Sequence, residues 1–398
     1  MQTIGIVAEY NPFHTGHAYH IAQSRAKLNE ECAVIAVMSG NWIQQANCAI
    51  TDKWTRAHLA LIGGADLVLE LPTPWATASA ESFARGAVTL LHNAGIVTHL
   101  SFGSEGGCIE PLSKVAAVLD TPEYQTCLSQ HLNTGLSFPA ARQKAVEHLL
   151  GTDGTLLATP NNNLGIEYLR SLSILDSSIL PMTVTRQGAA HNSISTDAPP
   201  FVSATHIRTH LMADQRKAIC SYLTPGADAV LPDLSKLADL HRVERAMLAR
   251  IHSMRAEDWA ALPDSGAAEG LPQRLERAAR QCTGVNHFLE LAKTKRYTHA
   301  RLRRLVLWAY LGLTSDLILK SPPYLRVLGF NQTGQRLLKE MKQNAALPIL
   351  TKPAHARTLS SEGLALFELE SHFTDLYNLC LETIPCPGQE WRKNPVIL

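Results

Sequence analysis

An α/β fold is what this sequence predicts: a Rossmann-like parallel sheet in the first half, followed by a mainly helical part. Three observations carry that expectation. Short apolar runs rich in leucine and β-branched residues alternate with amphipathic stretches through roughly the first hundred residues. A turn bearing glycine and histidine follows directly on the first of those runs. Beyond about residue 211 helical periodicity takes over and strand-like runs become scarce.

Taken in order, residues 4–8, 33–38, 67–71 and 99–102 read as buried strands. Residues 16–28, 52–62 and 79–94 read as the helices between them, with Asp52 as an N-cap, Gly63-Gly64 as a stop and Gly95 ending the third. Strands separated by helices of this length imply a parallel sheet with right-handed crossovers. Residues 110–150 are expected to be helical, broken at 135–139; a further helix is expected over 161–175 and a strand over 182–186. Pro199-Pro200 lies in a loop before a helix over 203–212, which Ser203 caps. Residues 241–254, 272–293, 299–313 and 333–343 then carry helical periodicity, and 264–270 is an interior loop. The expected division is therefore residues 1–214, the α/β domain, and 215–398, a helical domain.

A chain of 398 residues suits two domains, and 45% hydrophobic with 18% charged residues supplies ample core material. The net charge of +1 gives no general reason to expect nucleic acid or membrane, so any such case rests on a local patch. The eight cysteines are scattered without Cys-x-x-Cys or zinc-ligand spacing, the usage of reduced, mostly buried thiols. Neither a leader pattern nor an apolar stretch long enough to span a bilayer is seen, so a cytoplasmic location with no membrane partner is expected; no protein partner is implied.

The chemistry-bearing segment is Ala8-Glu9-Tyr10-Asn11-Pro12-Phe13-His14-Thr15-Gly16-His17. In parallel α/β sheets ligands bind beyond the carboxyl ends of the strands, where the next helix offers free N–H groups and its positive dipole end. His14 and His17 stand where imidazoles, as donors or cations, could stabilise charge growing on phosphate oxygens as pyrophosphate leaves. Gly16 leaves room for close backbone or adenine approach. The bland alternative is a pair of surface histidines in a loop; placement straight after the first strand favours the functional one. Other candidates lie in strand-end loops: Ser39-Gly40-Asn41, and Gly103 within Phe102-Gly103-Ser104-Glu105, which could equally be a simple turn. Asp52, Lys53 and Arg56 could touch phosphate or acetate, or form a solvated helix face. Pro160-Asn161-Asn162-Asn163 could be only a helix cap, and Arg186 only a surface charge.

Together these segments resemble the bacterial tRNA(Met) cytidine acetate ligase family, of the HIGH-type nucleotidyltransferase superfamily. The resemblance rests on residues 5–17, on Val37-Met38-Ser39-Gly40-Asn41, on Asp52-Lys53-Trp54-Thr55-Arg56-Ala57 and on residues 64–72. It continues through Ser101-Phe102-Gly103-Ser104-Glu105, Pro160-Asn161-Asn162, residues 164–168, Lys293-Thr294-Lys295-Arg296-Tyr297-Thr298 and residues 324–330, nearly the whole chain. Two stretches depart from the pattern: Gln44-Gln45-Ala46-Asn47-Cys48 replaces an expected Gln-Arg-Gly-acid-Pro, and residues 188–192 lack the expected Tyr-His-Asp ending. The resemblance implies an ATP-dependent ligase: acetate attacks the α-phosphate of ATP, and the acetyl-adenylate acylates N4 of the wobble cytidine of elongator tRNA(Met). It implies catalytic roles for His14 and His17. ATP contacts would fall on Val7, Ala8, Glu9, Tyr10, Asn11, Pro12, Phe13, His14, Thr15, Gly16, His17, Ala18, Tyr19, His20, Gly103, Asn162, Arg186 and Gln187. Mg2+ is expected with the triphosphate, without a visible set of protein ligands.

Lys293, Lys295, Arg296, Arg301, Arg303 and Arg304 crowd one segment, a local basic excess suited to RNA phosphates. On the helix from residue 299, Leu302, Leu305, Val306, Ala309 and Leu313 form the apolar stripe, with the arginines outside it. A solvated face paired with nearby acids is the alternative, and the implied tRNA substrate tips the balance to RNA. The same histidine motif would also serve a metabolic adenylyltransferase acting on a small phosphorylated substrate; the altered 44–48 loop would suit an RNA-binding protein that has lost catalysis.

Overall fold

A computed structural model describes residues 1–28, 31–186 and 201–398. Its main sheet is built from β1 (Gln2–Ala8), β2 (Cys32–Ser39), β3 (Leu67–Leu71), β4 (His99–Ser104), β5 (Leu180–Thr185), β6 (Leu325–Phe330) and β7 (Val396–Ile397), with the short strand Ile349–Leu350 beside β6. The spatial order is β7-β6-β3-β2-β1-β4-β5. Strands β3, β2, β1, β4 and β5 run parallel, as the alternation of strand and helix demands; β6 is antiparallel to β3. Along β2, Ala33, Ile35 and Val37 enter one apolar cluster and Val34, Ala36 and Met38 another, so both faces are covered and the strand reads as one apolar run.

Helices α1 (Thr15–Leu28) and α2 (Lys53–Ile62) cover one face; α3 (Ala80–Asn93) and α4 (Pro160–Ile174) cover the other. Asp52 caps α2, accepting the N–H groups of Trp54 and Thr55, and Ser203 caps α5 (Ala204–Met212), accepting that of His206. The region expected to be helical contains α6 (Glu244–Ser253), α7 (Leu271–Ala279), α8 (Val285–Ala292), α9 (His299–Leu311), α10 (Gln332–Asn344) and α11 (Ser361–Asn378). The single helix expected over 272–293 is two, α7 and α8, because Gly284 takes an extended conformation between them.

The sheet runs across the expected division at residue 214. Strands β6 and β7 come from beyond it and extend the β3 edge, so the end of the described chain is built into the same sheet as its beginning. Trp42 and Cys48, paired in a small antiparallel hairpin after β2, and Ala78 join the core of α6–α9 and the end of α11. Trp308 Nε1 donates to Thr77 Oγ1 at 2.9 Å, and Trp42 Nε1 to the Phe373 carbonyl at 2.9 Å.

A fully enclosed charge cluster lies along this seam. Lys53 Nζ is 2.6 Å from Glu70 Oε1 and 2.7 Å from Glu390 Oε2. Arg326 on β6 reaches Glu390 Oε1 at 3.4 Å and lies over the ring of Phe367. Glu370 on α11 accepts the N–H of Thr73 at 2.6 Å and lies 2.8 Å from its hydroxyl. Two cations thus meet three carboxyl groups where uncompensated charge is costly. Burial and the neighbouring Glu70 push the Glu370 carboxyl up to about 8, against the pull of Lys53. The direction favours a protonated carboxyl here, which would leave two cations facing two carboxylates.

The native Glu370 keeps a proton that the unfolded chain has released above its ordinary 4.5, so this group's stabilisation fades as pH rises from 4.5 towards about 8. The slope is about 1.4 kcal/mol per pH unit. In Glu370→Gln the amide takes the place of the protonated acid, its oxygen accepting from Thr73 N and its nitrogen donating to Thr73 Oγ1. The variant is expected to fold and to remove that slope in denaturant titrations across the interval, whereas Lys53→Met is expected to cost about 3–5 kcal/mol by stranding buried carboxylates.

Candidate nucleotide-binding site

The order β2-β1-β4 makes β1 the point where the chain switches sides: β2 and β3 lie to one side of it, β4 and β5 to the other. Open α/β sheets bind ligands in the crevice beyond such a point. A cleft of 510 Å³ lies there, a volume suited to a small-molecule ligand. It is lined from the ends of β1, β4 and β5, the first turns of α1 and α5, and by Ala300 and Arg304 of α9.

Tyr10, at φ 45°, turns the chain out of β1 into the segment leading to α1. A tyrosine in the left-handed region costs about 1–3 kcal/mol unless its surroundings impose it; here Tyr10 and Phe13 are buried edge to face, 4.8 Å between centroids. The His17 ring packs against both, at 4.9 and 5.4 Å, and lies 3.8 Å from the His14 ring. Gly16 N–H donates to His14 Nδ1 at 3.0 Å, and His14 N–H donates to His17 Nδ1 at 3.2 Å. A ring nitrogen that accepts carries no proton, so each neutral imidazole keeps Nε2–H as its donor. The spacing is thereby explained in a way the sequence did not suggest. A Cβ at Gly16 would lie 2.8 Å from His14 Cε1, so the glycine makes room for the histidine itself.

Burial lowers His14 to about 4, helped by the positive fields of Arg186 and Arg208. Burial likewise holds His17 well below 6.5, with His14, His20 and Arg186 adding to the effect. Burial and the two backbone N–H groups on Nδ1 agree in favouring neutral rings that present Nε2–H in the unliganded protein. His20, lowered to about 4 chiefly by burial, joins a closed chain of contacts. Its Nε2–H donates to Ser101 Oγ at 3.0 Å, Ser101 to Ser24 at 2.6 Å and Ser24 to the His20 carbonyl at 2.7 Å, the assignment that satisfies all three.

Of the expected nucleotide contacts, Val7, Ala8, Glu9, Tyr10, Asn11, His14, Gly16, His17, Tyr19, His20, Gly103 and Arg186 line the cleft. Pro12 and Phe13 lie beneath it, buried, and Thr15 and Ala18 are outside its lining. The stem of Arg186 covers Gly103, whose added Cβ would be 3.2 Å from Arg186 Cγ. Asn162 is buried away from the lining, its Oδ1 accepting the Glu105 N–H at 3.2 Å; its neighbours Pro160, Asn161 and Leu164 line the cleft instead. Gln187 and the divergent stretch 188–192 lie outside the described residues.

Asp52, Lys53 and Arg56 are not brought to the cleft. Asp52 is occupied as the cap of α2 and Lys53 is locked in the charge cluster. Arg56, fully buried, donates to the carbonyls of Glu9 (2.7 Å), Ser39 (3.1 Å) and Thr51 (3.1 Å), and to that of Gly40. All three support the architecture, and the four carbonyl groups gathered on Arg56 hold it among the strand ends, outside the cleft lining.

The basic segment also divides. Lys293, Lys295 and Arg303 are exposed, and Arg296 is exposed at 3.8 Å from Glu269. Arg301 is paired with Asp264 and Glu269, both at 3.2 Å, and Arg304 with Asp264 at 2.9 Å. Arg304 also contributes to the lining of the cleft, so the helical region supplies part of its wall. Arg208, also lining the cleft, went unread in the sequence. It donates to the Asn11 carbonyl and to Thr205 Oγ1, both at 2.9 Å, and so ties α5 to the histidine turn. Its only sequence signal was a basic residue near the start of a helix capped by Ser203. Gln44, Gln45 and Tyr168 complete that side.

The description HIGH Nucleotidyl Transferase matches residues 1–390. A tRNA(Met) cytidine acetate ligase of Caldanaerobacter subterraneus subsp. tengcongensis is 38% identical over 397 residues, covering 95% of each chain. One of Acetivibrio thermocellus is 34% identical over 423 residues, covering 100% of each. The crystal structure of Thermotoga maritima TmcAL bound with alpha-thio ATP matches with a TM-score of 0.91 at 32% identity, with 100% of both chains covered.

Histidines lowered by burial bind protons only after unfolding, so their contribution is full above 6.5 and is lost as pH falls towards about 4. Stability is expected to fall over that interval, and His14→Gln to shallow the slope by about 1.4 kcal/mol per pH unit, measured by denaturant titration at stepped pH.

Proposed function

This chain belongs to the HIGH nucleotidyl transferase family and, within it, to the tRNA(Met) cytidine acetate ligases, and we propose that it activates acetate with ATP and acetylates N4 of the wobble cytidine of elongator tRNA(Met). ATP would lie in the cleft against the start of α1, with the Nε2–H groups of His14 and His17 on the phosphate oxygens. An acetate oxygen attacks the α-phosphorus as its bond to pyrophosphate breaks, giving acetyl-adenylate. The cytidine N4 then takes the acetyl group and AMP leaves. The observation that carries this reading is the pair of imidazoles held as neutral Nε2–H donors at the switch point by backbone amides, with Arg186 and Arg208 beside them. Donors fixed before charge develops are worth most in a secluded site.

Mg2+ is proposed as a companion of the triphosphate itself. Among the described residues the cleft offers a cation one carboxylate, Glu9, and three His, Cys, Asp or Glu side chains are nowhere grouped to hold a metal, so the lining does not fit a resident ion. None of the described helices is long and apolar enough to cross a membrane. Lys293, Lys295 and Arg303 are the proposed RNA-phosphate contacts, with Arg304 at the entrance of the cleft.

ATP–pyrophosphate exchange is expected to depend on acetate, and labelled acetate is expected to enter tRNA as N4-acetylcytidine on nucleoside analysis. His17→Ala should lower the exchange by about 10²-fold or more while sparing tRNA binding. Exchange indifferent to acetate would remove the proposal. Charge reversal at Lys293, Lys295 and Arg303 together should weaken tRNA binding at least about tenfold and reduce its salt dependence by about three phosphate contacts, with exchange unchanged.

A further inference from the structure

Acetyl transfer to a cytosine amine leaves one demand unmet by the groups assigned so far. The N4 lone pair is conjugated with its ring, and the nitrogen becomes strongly acidic once it bonds to the acetyl carbon, so a proton acceptor must stand beside it. The imidazoles of His14 and His17 do not qualify: each Nδ1 is taken by a backbone N–H, and each Nε2 carries the proton it donates. Tyr168, which lines the same cleft, is a phenol that burial holds well above its ordinary range. Guanidinium groups do not accept protons.

Among the described lining residues Glu9 is the one carboxylate, and the positive field of Arg208, which lines the same cleft, acts on it. It is placed from two directions. Arg56 holds its main-chain carbonyl at 2.7 Å, and the Gln44 N–H, from the loop after β2, fixes Oε1 at 2.8 Å. A carboxylate so anchored still has acceptor capacity to spare, since two oxygens carry about four lone-pair sites. We propose that Glu9 is the catalytic base that receives the N4 proton during acetyl transfer. The bond from N4 to the acetyl carbon forms, the bond from that carbon to the phosphate oxygen breaks, and its electron pair leaves with AMP. The N4 proton passes to the Glu9 carboxylate and from there to water. A carboxylate also selects its nucleobase, because cytosine presents an N–H donor at the position where uracil presents an acceptor oxygen.

The surroundings tune the group towards this task. Burial raises its pKa, opposed by the Gln44 N–H and by the fields of Arg208 from α5 and Arg56 from α2. Tyr168 from α4 also feels the Glu9 charge, and His14, His17, His20, Arg186 and Arg304 line the same cleft. A base lifted towards neutrality accepts a proton more readily in the transition state.

This inference rests on the ligase reading, and separating the two half-reactions in the full-length protein tests it. In Glu9→Gln the amide oxygen still accepts from Gln44 N–H, and because Glu9 also lines the nucleotide cleft, transfer is read apart from adenylate formation, with pre-formed acetyl-adenylate supplied at saturation. Single-turnover transfer of labelled acetyl to tRNA should fall about 10²- to 10⁴-fold and lose its acid limb. Transfer at the wild-type rate overturns the role of Glu9. Should Glu9→Gln not fold, Glu9→Asp, with its carboxylate drawn back by one methylene, is expected to slow transfer from pre-formed acetyl-adenylate at least about tenfold; equal transfer overturns the proposal just as well. A wild-type chain lacking acetate-dependent exchange would instead overturn the ligase reading itself.

Discussion

The buried guanidinium of Arg56 gathers the carbonyl groups at which two neighbouring strands finish. Those of Glu9, Ser39, Gly40 and Thr51 all end on it, so the loops leaving β1 and β2 are spaced by one side chain from α2. Polar groups at strand ends must be satisfied without a further strand to pair with, and a planar, five-donor side chain does so for several at once. The geometry of the cleft follows from it. Glu9 is held by its carbonyl, Tyr10 is driven into its left-handed turn, and the histidines arrive at α1 with their Nδ1 atoms over backbone amides.

The enclosed cluster of Lys53, Glu70, Arg326, Glu370 and Glu390 does a related task at the seam. Ion pairs of this kind add little net stability compared with an apolar filling, but they tolerate only one arrangement of the elements that bear them. Here those elements are α2, β3, β6, α11 and the segment that carries Glu390. The cluster thus fixes how the helical region sits against the sheet, and through α9 it fixes where Arg304 enters the cleft. Site and seam are one mechanical unit, although their residues lie hundreds of positions apart.

Much of this was legible in the sequence where local chemistry decides the outcome. The strands at 4–8, 33–38 and 67–71 announce themselves as apolar runs, Asp52 and Ser203 cap as their side chains dictate, and the two histidines lie in the cleft. Long-range pairing decided the rest. Lys53 and Arg56 look like solvent-facing charges at the start of an amphipathic helix; one partner of Lys53, Glu390, is more than three hundred residues away. Residues 325–330 form a strand because the open edge of β3 receives them, a reason that no local pattern contains. Helix α11 buries Glu370 and Thr374 among its apolar residues, which blurs its stripe. Arg208 was hidden in the same way, an ordinary basic side chain until the fold carries it to the turn.

The antiparallel strand at the β3 edge sets an order on events during biosynthesis. Until residues 325–330 are synthesised, one edge of β3 lacks its strand partner, and the Lys53–Glu70 pair lacks Arg326 and Glu390, which are translated later still. The catalytic half cannot reach its finished form as an early, self-contained product. An isolated amino-terminal fragment would leave that edge open and the buried Lys53 short of one of its carboxylates.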